Sequence, residues 1–306
     1  MEYKLDEVLV DKAQNFSNKI LVVNGWEGCG KTCVSSIFKS LEGIEVMRYS
    51  MEFEWVCLLW LAKKIDNNSA QTFLKSICDL LIYNHFQSRE VNFRPSDLSS
   101  VFRTPFWYKY IFRLFSPGGK ECEKLIKQNT ILHLVTHELF ECRELLNDSF
   151  EERLIHIEVI RDPIYMLKQA KYNQDVIYKV SSPRHFALLY KHNQLSIHEG
   201  VNAVNTTDIN SWELAFRFLE RRMSFYFNNV NLFKDKNHSN LYPIFFEDFV
   251  LNPYYDLDIL KRKYGLKFGK HLKKYMRIEK IPRKYHSQGK NMNIYRKIGW
   301  VNLIKS

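Results

Sequence analysis

Eight consecutive residues, Gly25-Trp26-Glu27-Gly28-Cys29-Gly30-Lys31-Thr32, satisfy the pattern G-x-x-x-x-G-K-[ST] in full. Glycines in such a loop let backbone N–H groups turn inward around an anion. Lys31 adds a full positive charge, and a helix opening behind the loop adds the positive end of its dipole. The loop needs a strand before it and a helix after it, and both are predicted. Ile20-Leu21-Val22-Val23 is a branched apolar run of the kind buried in a parallel sheet. Thr32 to Leu41 carries Val34, Ile37, Phe38 and Leu41 at helical spacing, with Gly43 as a stop. Gly25, Gly28, Cys29, Gly30, Lys31, Thr32 and Cys33 are therefore the candidate phosphate-binding set, with Lys31 expected at an exposed loop position. A glycine turn that spells the pattern without binding phosphate is the alternative. Glu27 is the anomaly, because a carboxylate beside a phosphate is unfavourable unless it points away.

Along the rest of the chain the pattern of strand, helix and long crossover repeats, which predicts an α/β fold: a P-loop-type parallel sheet with helices on both faces, in one domain over residues 1–306. Ile44 to Met47 reads as a second strand and Met51 to about Phe86 as helical. Ile131 to Val135 and Ile155 to Ile160 read as central strands that stop at His137-Glu138 and at Arg161-Asp162-Pro163. Asn210 to Asn228 reads as an amphipathic helix, and Leu241 to Phe246 as a strand ahead of Glu247-Asp248. Residues 85–120 hold Arg94, Arg103, Phe106, Trp107, Tyr108, Tyr110, Phe112 and Arg113, and are predicted to form a cap or insertion over the site. Planar rings suit sugars or phenols and arginines suit anions, so this stretch is the candidate acceptor surface; a satellite core is the bland reading.

The net charge of +11 favours anionic partners, whether nucleotides, nucleic acid, acidic glycans or an anionic membrane face. No recognised nucleic-acid module occurs, so nucleic acid is not expected as a partner. Lys270, Lys273, Lys274, Arg283 and Lys284 read as a solvated basic face. The six cysteines form no Cys-x-x-Cys pair, which points to reduced thiols and to no metal site. The longest apolar run, Trp55 to Ala62, is too short to span a bilayer, and Met1 to Lys19 is polar, so a cytoplasmic protein without a transmembrane segment is expected. Asn205-Thr206-Thr207 reads as a chance match to a glycosylation triplet.

Several motifs, taken in order, resemble the sulfotransferase family, whose members share the P-loop fold and use 3′-phosphoadenosine 5′-phosphosulfate (PAPS). Ile157-Glu158-Val159-Ile160-Arg161-Asp162-Pro163 is similar to the family's strand followed by Arg-x-Pro. Ser211-Trp212-Glu213-Leu214 and Phe245-Phe246-Glu247-Asp248-Phe249-Val250-Leu251-Asn252-Pro253 are similar to its tryptophan helix and its aromatic-Glu-Asp segment. Arg296-Lys297-Ile298-Gly299-Trp300 looks like a shortened form of its basic C-terminal element. The resemblance spans roughly Ile20 to Trp300. It implies PAPS as donor, with Lys31 and Thr32 on the 5′-phosphosulfate, Arg161 and Gln169 on the 3′-phosphate, and Arg296, Lys297, Gly299 and Trp300 closing over the nucleotide. Gln169 stands where the family commonly has a serine, and Gly28 where it commonly has a basic residue. The resemblance also implies that His137 removes the proton of an acceptor hydroxyl or amine, with Glu138 as the competing base.

From the residues alone, Arg161 at the carboxyl end of a strand faces the crevice where α/β sheets bind ligands, and it either grips a phosphate or pairs with a neighbouring carboxylate. His137 shares that position, with a near-neutral imidazole suited to proton transfer. The expected activity is sulfuryl transfer to an acceptor, carbohydrate or otherwise anionic molecules among the candidates. The alternatives are a P-loop kinase using ATP and magnesium, disfavoured by the lack of a good acid after either strand, and a non-catalytic nucleotide- or anion-binding protein.

Overall fold

The computed structural model describes residues 9–13, 16–128, 130–173, 175, 186, 188, 210–229, 231 and 240–286. Arg296, Lys297, Gly299, Trp300 and the Asn205 triplet lie outside the described residues. Strands β1 (Lys19–Gly25), β2 (Ile131–Val135), β3 (Leu154–Ile160) and β4 (Leu241–Phe245) form one parallel sheet in the order β2-β1-β3-β4. β1 is central, with Ile20 opposite Leu132 on one side and Leu154 on the other. Every residue of β2 and β3 is buried, so both are largely apolar on both faces, interrupted only by His133 in β2 and by His156 and Glu158 in β3.

The run predicted as a second strand forms no full strand. Ile44 and Arg48 make isolated parallel bridges to Ile131 and Leu134 along the outer edge of β2. Backbone bonds from Glu45 N to Ile131 O (3.0 Å) and from Arg48 N to His133 O (2.9 Å) hold it there. The predicted long helix is two, α2 (Met51–Leu61) and α3 (Asn67–Phe86). Lys63 turns the chain at φ 56°, and Asp66 restarts the helix by accepting a bond from Ser69 N at 2.9 Å.

β1 sorts the two layers by simple alternation. Leu21 and Val23 face α1 (Lys31–Phe38), and Ile20 and Val22 face Phe53 of α2 and Leu74 and Cys78 of α3. The Leu21 side is completed by α7 (Pro163–Tyr172), α8 (Ser211–Asn228), α9 (Phe246–Leu251), α10 (Pro253–Tyr264) and α11 (Leu272–Glu279), and the Ile20 side by α6 (Arg143–Phe150). The structure is thus α/β with helices on both faces of an all-parallel sheet. None of the described helices is long and apolar enough to cross a membrane. Cys29, Cys33, Cys57, Cys78 and Cys142 are free thiols.

Residues 85–120 form an insertion anchored on the edge segment. Its α4 (Trp107–Leu114) is anchored on the edge segment, where Tyr110 hydroxyl accepts from Val46 N (2.7 Å) and donates to Glu45 (2.6 Å), and Arg113 grips the same carboxylate at 2.9 and 3.0 Å. Lys39, just beyond the far end of α1 from the phosphate loop, binds Leu98 O at 3.1 Å. The Pro117-Gly118-Gly119 stop opens a further helix, α5 (Gly118–Lys127). Trp107, Tyr108 and Phe112 point outward.

Candidate functional site

β1 delivers the chain into the phosphate loop and α1 leaves it. Gly30 caps α1 at φ 97°, and no acidic residue sits in the first turn to occupy the dipole. Glycine is required there twice over, by the left-handed backbone and because a Cβ would overlap the ring of Phe246. Gly30→Ala is expected to cost about 2–5 kcal/mol, the left-handed strain plus overpacking. Thermal unfolding checks this, and an unchanged midpoint would mean that the loop refolds around the methyl group. Lys31 differs from expectation, being buried (6% exposed), with its Nζ donating to Gly25 O at 2.9 Å. The amine folds back onto the loop's own carbonyl.

Beside the loop a chain of side chains runs outward from Thr32. The Tyr49 hydroxyl neighbours it, and burial raises the Tyr49 pKa. The Tyr49 ring stacks on the His137 imidazole at 5.9 Å and 19°. On the other side of the imidazole, Glu54 of α2 accepts from His137 N at 3.2 Å and faces His137 Nδ1 at 3.1 Å. An ionised carboxylate only accepts, so the hydrogen-bond network assigns the proton to Nδ1 and leaves Nε2 with a free lone pair. This is the arrangement a general base needs. Glu54 carries no sequence signal of this role, because 83 residues separate it from His137.

Glu138 turns the other way. It sits at φ 60° and its carboxylate pairs with Arg222 of α8, whose Nη1 also lies 3.7 Å from Glu27 Oε2. Burial pulls the Arg222 pKa down to about 9, with Glu27 working in the opposite direction. One cation thus draws two carboxylates away from the loop, which accounts for the tolerance of Glu27 inside a phosphate-binding sequence.

Arg161, at the end of β3, donates to Gly28 O at 2.8 Å and stacks 4.7 Å from the Phe246 ring. Its Nε lies 3.6 Å from Glu247 yet is buried without a hydrogen bond. Both readings of Arg161 therefore have a footing: it touches the loop, it neighbours a carboxylate, and it keeps an unused donor. Gln169 packs its methylenes against Gly28 and donates to Asn173 at 3.0 Å. Asp162 accepts from Ile164 N at 2.9 Å and so serves as the N-cap of α7. Arg283 is no solvated face. It lies 5.5 Å from the Phe246 ring and 4.0 Å from Cys33 Sγ, again with a buried Nε lacking a hydrogen bond.

Beneath the loop, Asn24 ties β1 to its neighbours. It donates to Glu158 at 2.7 Å and accepts from Thr136 hydroxyl (2.9 Å) and Leu139 N (3.1 Å), while Tyr226 of α8 donates to Glu158. Burial also pushes the Cys29 thiol up to about 11, so it stays neutral among these charges. The site as a whole presents Lys31, Arg161 and Arg283 around a glycine loop, with a carboxylate-held histidine to one side. No protein-family model matches the chain, and no curated protein matches it.

Proposed function

We propose that the chain is a transferase of the sulfotransferase type, taking its sulfuryl group from PAPS. The observation that carries this reading is Arg161, a guanidinium seated on the Gly28 carbonyl of the phosphate loop, its Nε beside the Glu247 carboxylate but without a hydrogen bond. A nucleotide bearing a second phosphate away from its 5′ chain supplies what that donor lacks. Lys31, the loop N–H groups and Thr32 hold the 5′ end, Arg161 and Gln169 the 3′-phosphate, and Arg283 adds positive charge across Phe246. By the sequence resemblance, Arg296, Lys297, Gly299 and Trp300 close over the nucleotide. When bound, the donor supplies an activated sulfuryl group. His137 Nε2 takes the proton of the acceptor hydroxyl, and Glu54 stabilises the imidazolium that results.

Three strand-end acids have other occupations here: Asp162 caps α7, Glu138 holds Arg222, and Glu158 is bound beneath the loop. The second reading is a magnesium-ATP kinase, favoured by the complete Gly-Lys-Thr sequence and by Glu54, which lies beyond Tyr49 and His137 from Thr32. Calorimetric titration separates the two. Adenosine 3′,5′-bisphosphate binding more tightly than ATP with magnesium supports sulfuryl transfer, and the reverse order supports the kinase.

Arg161→Ala sharpens that test. Charge-assisted hydrogen bonds are worth about 1.5–3 kcal/mol, so adenosine 3′,5′-bisphosphate is expected to weaken by roughly one to two decades. Adenosine 5′-monophosphate, lacking the 3′-phosphate, is expected to bind the variant as it binds the parent. Equal losses for both ligands would assign Arg161 to loop support alone.

A further inference from the structure

Helix α4 of the insertion turns its apolar face to solvent. Trp107, Tyr108, Phe112 and Phe115 recur at the spacing of one helical face, and all four are exposed, Phe112 by 71% and Phe115 by 84%. A surface helix ordinarily does the opposite. The side facing the protein carries Tyr110 and Arg113, whose guanidinium is fastened to the buried Glu45 carboxylate at 2.9 and 3.0 Å and lies 4.2 Å from the Phe86 ring. Rolling the rings inward would break that ion pair, so the fold itself fixes the outward display. We propose that this face docks the protein on a membrane, seating its rings in the interface of a bilayer rich in anionic lipid. The proposal gives the aromatic stretch a role apart from the acceptor and does not depend on the identity of the donor.

The rings form one patch. Phe102 lies 5.9 Å from Trp107, Trp107 6.4 Å from Tyr108, and Tyr108 6.5 Å from Phe112, centroid to centroid. Single exposed rings are ordinary on a protein surface, whereas a joined set marks a face that a partner covers. Trp and Tyr settle at the level of lipid headgroups, and an apolar helix face with basic residues beside it is the pattern of interfacial attachment.

Charge identifies the occupant. Exposed Lys109 lies on α4 itself, its Nζ 4.6 Å from the Phe106 ring, and Arg103 is exposed just before the helix. The basic helix α11 packs against the same segment, for Tyr275 hydroxyl donates to Arg103 O at 3.1 Å and the His271 ring meets Phe106 edge-on at 5.4 Å. Along that stretch Lys267, Lys270, Lys273, Lys274, Arg277 and Lys280 are all exposed, and its one acid, Glu279, is buried. An apolar patch with this basic flank is complementary to anionic headgroups above acyl chains. A second copy of the chain would instead set a net charge of +11 against another. Bases of a single-stranded nucleic acid stack on open rings, but Trp107 with Tyr108 and Tyr108 with Phe112 meet edge to face at 80° and 72°, which suits acyl chains better than stacking.

The test is co-sedimentation of the full-length chain with vesicles of phosphatidylcholine alone, and of phosphatidylcholine and phosphatidylserine in equal parts. Binding to the second is expected to be tighter by at least about tenfold, since each basic residue at an anionic surface is worth about fivefold. Phe112→Ser combined with Phe115→Ser is expected to weaken that binding tenfold or more at an unchanged unfolding midpoint, because both side chains are exposed. Lys273→Glu combined with Lys274→Glu is expected to remove most of the preference for phosphatidylserine. Brominated acyl chains are expected to quench Trp107, read as the difference between the parent and Trp107→Phe. No binding to either vesicle, equal binding to both, or binding that survives the loss of both phenylalanines would each overturn the proposal. So would an effect of those two substitutions on self-association or on oligothymidylate binding with vesicle binding intact, which would give the face to a second copy or to a single-stranded nucleic acid.

Discussion

Lys31→Ala is expected to reduce turnover by at least about a thousandfold, the scale on which a single preorganised group facing developing charge acts. The lysine is the positive charge within the loop itself, and its Nζ already lies among the loop's backbone groups, 2.9 Å from Gly25 O. Charge gathering on the phosphate as the transferring bond breaks would therefore meet a cation that needs little rearrangement. The substitution also removes a buried hydrogen bond to Gly25 O, an oxygen that Glu138 N approaches at 3.4 Å. A loss of about 1 kcal/mol in stability is expected alongside the kinetic effect. Lys31→Met, which keeps most of the stem, separates the two, since it should lose turnover equally while recovering part of the unfolding midpoint. A folded variant turning over within tenfold of the parent would sink the assignment of the loop.

His137→Ala is expected to lower turnover by roughly a hundredfold to ten-thousandfold, the contribution of a positioned general base. Nucleotide affinity should stay unchanged, because the contacts of the imidazole are with Tyr49 and Glu54, outside the glycine loop. Its ring is partly exposed (25%), so added imidazole has a path into the vacated space and is expected to restore some activity. Glu54→Gln keeps an acceptor for His137 N but loses the charge that balances an imidazolium, and a smaller loss is expected. The double variant should be no slower than His137→Ala alone, because Glu54 acts through the histidine. Additive losses would give Glu54 a separate role, and an active His137→Ala protein would move the base elsewhere.

The parts of this architecture visible in sequence are those written in contiguous residues. The glycine loop, the runs at Ile131 to Val135 and Ile155 to Ile160, and the amphipathic helix from Asn210 all appear close to where they were expected, because local pattern decides them. The break between α2 and α3 had a local mark too, in the capping pair Asp66 and Ser69 that a continuous helical reading passes over. Ile44 to Met47 has strand composition but pairs on one side only, so an apolar run did not become a ladder. The partners of the site are another matter. Glu54 meets His137 across 83 residues, Arg222 meets Glu138 across 84, and Asn24 meets Glu158 across 134. These contacts exist only once the sheet has formed, and no spacing rule encodes them. Arg283 was hidden among surface lysines for the same reason: composition counts charge, whereas packing against Phe246 decides which charge faces the loop.

The contact between Gly30 and the Phe246 ring links two positions 216 residues apart in one steric exchange. Any descendant sequence that enlarges residue 30 must shrink residue 246, and a smaller ring position in turn loosens the platform on which Arg161 and Arg283 rest. Drift at either position is thereby constrained by the other, so that in diverging copies of this chain the glycine and the phenylalanine should be inherited as a pair.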